Sequence, residues 1–127
     1  MKNVNETLIL VLDDDPDICS MLKMVLDYHG YAAVDAVSEV KAKAVLSKQH
    51  VGLIIMDMLL SGADGTAICR RLKQDKQTSS IPILMFSAHP NARKVCVEAG
   101  ADDFISKPFE MNDMLSKIRH FTIAAAN

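Results

Sequence analysis

Several features that would assign the chain quickly to a class are scarce or absent. Its longest apolar runs, Leu8 to Leu12 and Leu53 to Met56, fall far short of the roughly 20 residues that cross a bilayer, so no membrane segment is expected. The polar stretch Met1 to Thr7 leads straight into the first short run, without the longer apolar stretch and small-residue cleavage site of a signal peptide, and the expected location is the cytoplasm. Cysteine is scarce: Cys19, Cys69 and Cys96 are an odd number at wide spacing, each among apolar residues of helix-like sequence. They read as reduced packing thiols rather than a disulfide framework or zinc site. An excess of one charge is missing too, since 14 basic against 16 acidic residues leave a net charge of −2, which gives no basic footprint for direct nucleic-acid binding. No P-loop, Gly-rich dinucleotide fingerprint, linker, low-complexity tract or internal repeat occurs. Among the acids glutamate is scarce: only four of the 16 are Glu, and the other twelve are Asp.

That aspartate excess is concentrated, with Asp13, Asp14, Asp15 and Asp17 almost adjacent. Aspartate is a poor helix-interior residue that favours loops, caps and metal-facing turns. A length of 127 residues with half of them apolar suits one domain with one core. Apolar runs alternate with helical-period segments along the whole chain. Leu8 to Leu12, Val51 to Met56 and Ile83 to Phe86 have the continuous apolar character of buried parallel strands, and Tyr31 to Ala36 and Asp103 to Ser106 read as shorter flanking strands. After the first strand, Ile18, Met21, Leu22, Val25 and Leu26 share one helix face, with Asp15 as N-cap, Pro16 at the first helical position and Gly30 past the end. Further helices are expected over Ser38 to Gln49, Gly65 to Lys76, Asn91 to Ala99 and Glu110 to Ile123. Repeated β-α units in one small domain predict an α/β fold, a doubly wound parallel sheet with right-handed crossovers and helices on both faces.

Ligands of such sheets bind beyond the carboxyl ends of the strands. The residues there are Asp13 and Asp14 after the first strand, Asp57 after the third, Ser87 after the fourth and Lys107 after the fifth. Three carboxylates on one edge repel one another unless a cation sits among them, and oxygen ligands suit a hard ion such as Mg²⁺, with Mn²⁺ as a substitute. Asp57 ends the most buried strand, and a carboxylate so fixed can act as a nucleophile that accepts a phosphoryl group. Mg²⁺ and Lys107 would balance charge on the phosphoryl oxygens, and the Ser87 hydroxyl would donate to one of them. Asp15 and Asp17 read first as a cap and a first-turn residue stabilised by the helix dipole. The spacing Asp13-x-Asp15-x-Asp17 mimics the start of a calcium loop but fails at Ile18 and Met24, where Gly and Glu are required. Phe104 by itself reads as an ordinary strand residue. His89 reads as a solvated loop residue, most of the methionines as core, and Arg70, Arg71 and Lys73 as a solvated helix face.

Over nearly its full length the sequence resembles the receiver domain of two-component response regulators, of the single-domain kind typified by chemotaxis regulators. The matching stretches are Leu8 to Asp17, Ile54 to Asp57 followed by Asp64 and Gly65, Ile83 to Ala88, and Gly100 to Phe109. The resemblance implies a flavodoxin-like five-stranded sheet in the order 2-1-3-4-5, one receiver domain with its core at about residues 7–123, and no output domain in the chain. It implies Asp57 as the phosphorylation site, Asp14 and Asp57 as direct Mg²⁺ ligands beside the backbone carbonyl of Leu59, and Asp13 acting through water. Ser87 and Phe104 match the family's switch pair and Lys107 its phosphate-binding lysine, with the Lys107–Pro108 bond expected to be cis. A phosphoryl group on Asp57 would draw Ser87 inward and vacate space for Phe104, altering the face formed by the fourth helix, fifth strand and fifth helix. Ser61 stands where the family more often has Pro, which would loosen that turn.

The implied function is a phosphorylation-controlled interaction module that catalyses its own phosphoryl uptake and slow dephosphorylation, without being a conventional turnover enzyme. Its donors would be a histidine kinase or a histidine phosphotransfer protein. Its output would be a protein target or an output domain elsewhere, with the chain a monomer or a phosphorylation-dependent dimer. A phosphatase of the haloacid dehalogenase type needs a second Asp where Leu59 stands. A degenerate receiver that binds partners without phosphate is the other alternative, and the presence of all five edge residues argues against it.

Overall fold

The computed structural model describes residues 7–60, 63–89 and 91–126, with side chains through residue 122. Among these residues a five-stranded parallel sheet is formed by β1 (Leu8–Leu12), β2 (Ala32–Ala36), β3 (Val51–Asp57), β4 (Ile83–Ser87) and β5 (Asp103–Ser106), ordered 2-1-3-4-5 across the sheet. The helices between and after them are α1 (Pro16–Tyr28), α2 (Glu39–Lys48), α3 (Gly65–Gln74), α4 (Ala92–Glu98) and α5 (Met111–Ala126). This is the predicted flavodoxin-like architecture.

The apolar runs are continuous because β1, β3 and β4 are covered on both faces. Successive side chains of a strand point to opposite faces, so Ile9, Val11, Ile55 and Phe86 pack with Cys19, Leu22 and Leu26 of α1 and Met114 and Ile118 of α5. Leu10, Leu12, Met56 and Met85 pack on the other side with Ala42 of α2, Ile68 and Leu72 of α3 and Cys96 of α4. All three cysteines are free and buried in these layers, as expected of packing thiols.

The helix signals act as read. Asp15 caps α1 by accepting from the Asp17 N–H at 2.9 Å, Pro16 opens the helix, and Gly30 past its end has φ 86°, a left-handed conformation that glycine adopts without a Cβ penalty. Two readings need correction. Met21, placed on the packed face of α1, is not a core residue: it is 45% exposed, on the α1 surface with Met24 and Tyr28. Lys73 is not on a solvated face. Its ammonium donates to the Asp102 carboxylate at 2.7 Å and the Ile81 carbonyl at 2.8 Å, and the same Asp102 oxygen accepts from the Ile83 N–H at 2.8 Å. Lys73 therefore clasps the end of α3 to the starts of β4 and β5, at the sheet edge opposite Asp57. Arg71 is likewise engaged, forming a two-pronged pair with Glu39 that ties α3 to α2.

Candidate functional site

Parallel strands bring all their carboxyl ends to one edge, and Asp13, Asp57, Ser87 and Lys107 meet there. Asp13 directly follows β1, and its N–H continues the sheet by donating to the Ala36 carbonyl at 3.1 Å. Its side chain is only 1% exposed. One carboxylate oxygen accepts from the Asp15 N–H at 2.9 Å; the other, Oδ2, is buried without a hydrogen-bond partner among the described residues. Burial above all, reinforced by the Asp57 and Asp14 carboxylates, pushes the Asp13 carboxyl up to about 6 against the pull of the Asp15 N–H and Lys107. Asp14, next in the chain, is half-buried.

Asp57 closes β3 with a largely buried side chain. Its Oδ1 accepts from the Leu59 N–H at 3.1 Å, and its Oδ2 faces the Lys107 ammonium at 3.3 Å. The chain beyond it is held by the Met58 N–H on the Phe86 carbonyl at 3.0 Å and the Gly65 N–H on the Met58 carbonyl at 2.7 Å. A Cβ at position 65 would run into the carbonyl oxygens of Asp57 and Met58, so this turn needs glycine for close approach. An antiparallel pairing of Leu59–Leu60 with Ala63–Asp64 shapes the same loop, a feature absent from the sequence reading. Ser61 lies outside the described residues.

On β4, Ser87 is 3% exposed and its Oγ accepts from the His89 N–H at 3.0 Å. Its carbonyl accepts from the Lys107 N–H at 2.8 Å, joining β4 to the cis Lys107–Pro108 bond. His89 is exposed, and its Nδ1 accepts from the Asn91 N–H at 3.2 Å. Phe104 does not wait outside for space to open. Its ring is already 2% exposed, within the layer under α2, α3 and α4, with the Arg93 guanidinium 5.6 Å from the ring centroid. Leu59 is 61% exposed.

Among the described residues no three His, Cys, Asp or Glu side chains are gathered closely enough to form a metal cage by themselves. The expected set does not demand one. Two carboxylates and a backbone carbonyl leave further positions to water, the usual arrangement for Mg²⁺, which sheds its hydration reluctantly. An all-oxygen donor set and the partnerless buried oxygen of Asp13 both suit a hard divalent cation. Sequence reasoning found the charged groups because their chemistry is distinctive. It missed the close approach at Gly65 and the ring of Phe86 under Lys107, since an apolar residue in a strand carries no signal of what stands over it.

A model of the response regulator receiver domain family matches residues 9–119. The chain is 35% identical over 113 residues to the DNA-binding dual master transcriptional regulator RpaA of Synechocystis, a match covering 87% of this chain and 47% of that protein. It is 36% identical over 121 residues to the transcriptional regulatory protein ResD of Bacillus subtilis, covering 94% of this chain and 49% of that one. The chain thus spans about half the length of the curated relatives it matches. Among solved structures, one described as a response regulator from Chloroflexus aurantiacus superposes with a TM-score of 0.86 at 33% identity, covering 93% of this chain and 98% of that one. The shared sheet order, the edge of carboxylates and lysine, and these matches have one conclusion: the chain belongs to the response regulator receiver domain family.

Proposed function

We propose that Asp57 is the phosphoacceptor of a two-component signalling system and that its phosphorylation switches a protein-interaction surface. The observation that carries this reading is the Lys107–Asp57 pair at 3.3 Å, set beside the buried Asp13 carboxylate at the carboxyl edge of the sheet. In the reaction the P–N bond of a phosphohistidine on a histidine kinase or phosphotransfer protein breaks. An Asp57 carboxylate oxygen forms the new P–O bond, and the histidine leaves. Mg²⁺, or Mn²⁺ in its place, would be held by Asp14, Asp57 and the Leu59 carbonyl, with Asp13 acting through water, and would offset charge on the phosphoryl oxygens.

The chain's own residues supply the rest. The Leu59 N–H orients the Asp57 carboxylate through Oδ1. The Lys107 ammonium passes from the carboxylate to a phosphoryl oxygen, and the Ser87 hydroxyl donates to another. Slow attack of water on the phosphoaspartate resets the site. Phe104 already lies inside, so phosphorylation raises the population of this ring-in arrangement rather than creating it. The surface read by a target, or by an output domain, is that of α4, β5 and α5, and the chain acts in the cytoplasm as a monomer or a phosphorylation-dependent dimer. No helix among the described residues is long and apolar enough to cross a membrane.

The test is to add Mg²⁺ with beryllofluoride or acetyl phosphate and to record amide spectra and intact mass. A saturable spectral change and the gain of one phosphoryl group are expected, both absent in Asp57→Ala. An unresponsive wild-type protein overturns the reading and favours a receiver that acts without phosphate.

A further inference from the structure

Phe86 stands directly before Ser87 on β4 and is completely buried. Its backbone is fixed to the proposed reaction centre from both sides. It lies opposite Asp57 in the register with β3 and opposite Ile105 in the register with β5, and its carbonyl accepts from the Met58 N–H at 3.0 Å. The ring packs in the layer between the sheet and α1 and α5, with Phe109 set edge-on at a centroid distance of 6.3 Å and an interplanar angle of 66°. The Lys107 ammonium stands 4.5 Å from the Phe86 ring centroid while lying 3.3 Å from Asp57 Oδ2.

Charge-assisted N–H···O bonds usually run at about 2.7–2.9 Å, so a separation of 3.3 Å leaves the ammonium held by the carboxylate only in part. The face of an aromatic ring carries negative potential and attracts a cation placed over it. Such a hold differs from a hydrogen bond in one useful way: it engages no lone pair and ties up no particular N–H. Lys107 therefore keeps its donors for Asp57 and for an incoming oxyanion, while its charge stays anchored above a fully buried ring. A leucine at position 86 would fill much the same space but leave the ammonium without that anchor.

We infer that Phe86 is a positioning residue that holds the Lys107 ammonium over the acceptor carboxylate and so sets how readily the site takes up a phosphoryl group. The inference rests on the reading of Asp57 as phosphoacceptor. It is tested by placing 4-fluoro-, 3,5-difluoro- and 3,4,5-trifluorophenylalanine at position 86, which drain the ring face of negative potential with little change of shape, alongside Phe86→Leu. The half-saturating beryllofluoride concentration in Mg²⁺ buffer is expected to rise stepwise, about three- to tenfold across the series, with melting temperatures of the fluorinated proteins unchanged. In wild-type protein the Lys107 ε-methylene resonances should be shifted upfield by the ring and should return toward ordinary lysine positions in Phe86→Leu. If the wild type saturates but the fluorinated series is flat, the role of Phe86 is overturned while the phosphoacceptor reading stands. If the wild type never responds, that reading itself fails, and unshifted Lys107 resonances would then remove the contact as well.

Discussion

At the residue scale, Asp13 shows how a site can oppose the stability of the fold that builds it. Its carboxyl is raised to about 6 from an ordinary value of 3.8 by burial, with Asp57 and Asp14 adding repulsion. Between those two values the folded protein holds a proton that the unfolded chain has released. Stability without metal therefore falls as pH rises from about 4 to about 6, and the penalty is complete above that. In chelator, Asp13→Asn is expected to stabilise the protein at pH 7.5 by on the order of 2 kcal/mol, because the amide oxygen still accepts from the Asp15 N–H while the charge is gone. At pH 4 the difference should shrink toward zero, and melts across this range check it. Mg²⁺ should likewise raise the melting temperature of the wild type more at pH 7.5 than at pH 5, since it offsets a charge that is largely protonated at the lower pH.

At the scale of elements, the turn from β3 into α3 determines where Asp57 points. Gly65 opens α3 with its N–H on the Met58 carbonyl at 2.7 Å, and Asp64 caps the helix by accepting from the Thr66 N–H at 2.9 Å. Gly65→Ala places a methyl against two carbonyl oxygens, so either the loop or the start of α3 must move. The expected cost is about 2–3 kcal/mol in urea unfolding, together with weakened beryllofluoride uptake, because the Leu59 N–H that orients Asp57 belongs to the same loop. A variant that unfolds like the wild type would show that the loop yields without strain. The cap of α1 was legible from Asp15 and Pro16 because capping is a local interaction between residues two or three apart. The pairing of Leu59–Leu60 with Ala63–Asp64 was not, since a ladder of two residues per strand leaves no periodic pattern to detect.

At the scale of the whole molecule, the two edges of the sheet have different tasks. The carboxyl edge gathers Asp13, Asp57, Ser87 and Lys107, the side chains of the proposed site. The opposite edge is closed by Lys73, whose ammonium, 19% exposed as a side chain, joins Asp102 and the Ile81 carbonyl. Lys73→Met removes that clasp and leaves the Asp102 carboxylate without its cation, and is expected to cost about 1–3 kcal/mol in chemical denaturation. The half-saturating beryllofluoride concentration should stay as in the wild type, because the clasp and Asp57 lie at opposite ends of the strands. A shift in that concentration would show that the edges are coupled.

The sequence by itself determined the fold class, the order of strands and helices, and the identity of the acids, hydroxyl and lysine at the carboxyl edge. Continuous apolar runs, helical periodicity and caps are local, and acids, hydroxyl and lysine are recognisable by type. Tertiary structure decided what depends on residues distant in the chain. It buried Asp13 and thereby raised its carboxyl, drew Lys73 from an apparent helix surface into a clasp across 29 residues to Asp102, and left Met21 and Met24 in solvent. It seated Phe104 inside and set the Phe86 ring beneath the Lys107 ammonium. These outcomes follow from the packing of helices and strands against one another, and burial and distance between separate segments are properties that no run of adjacent residues contains.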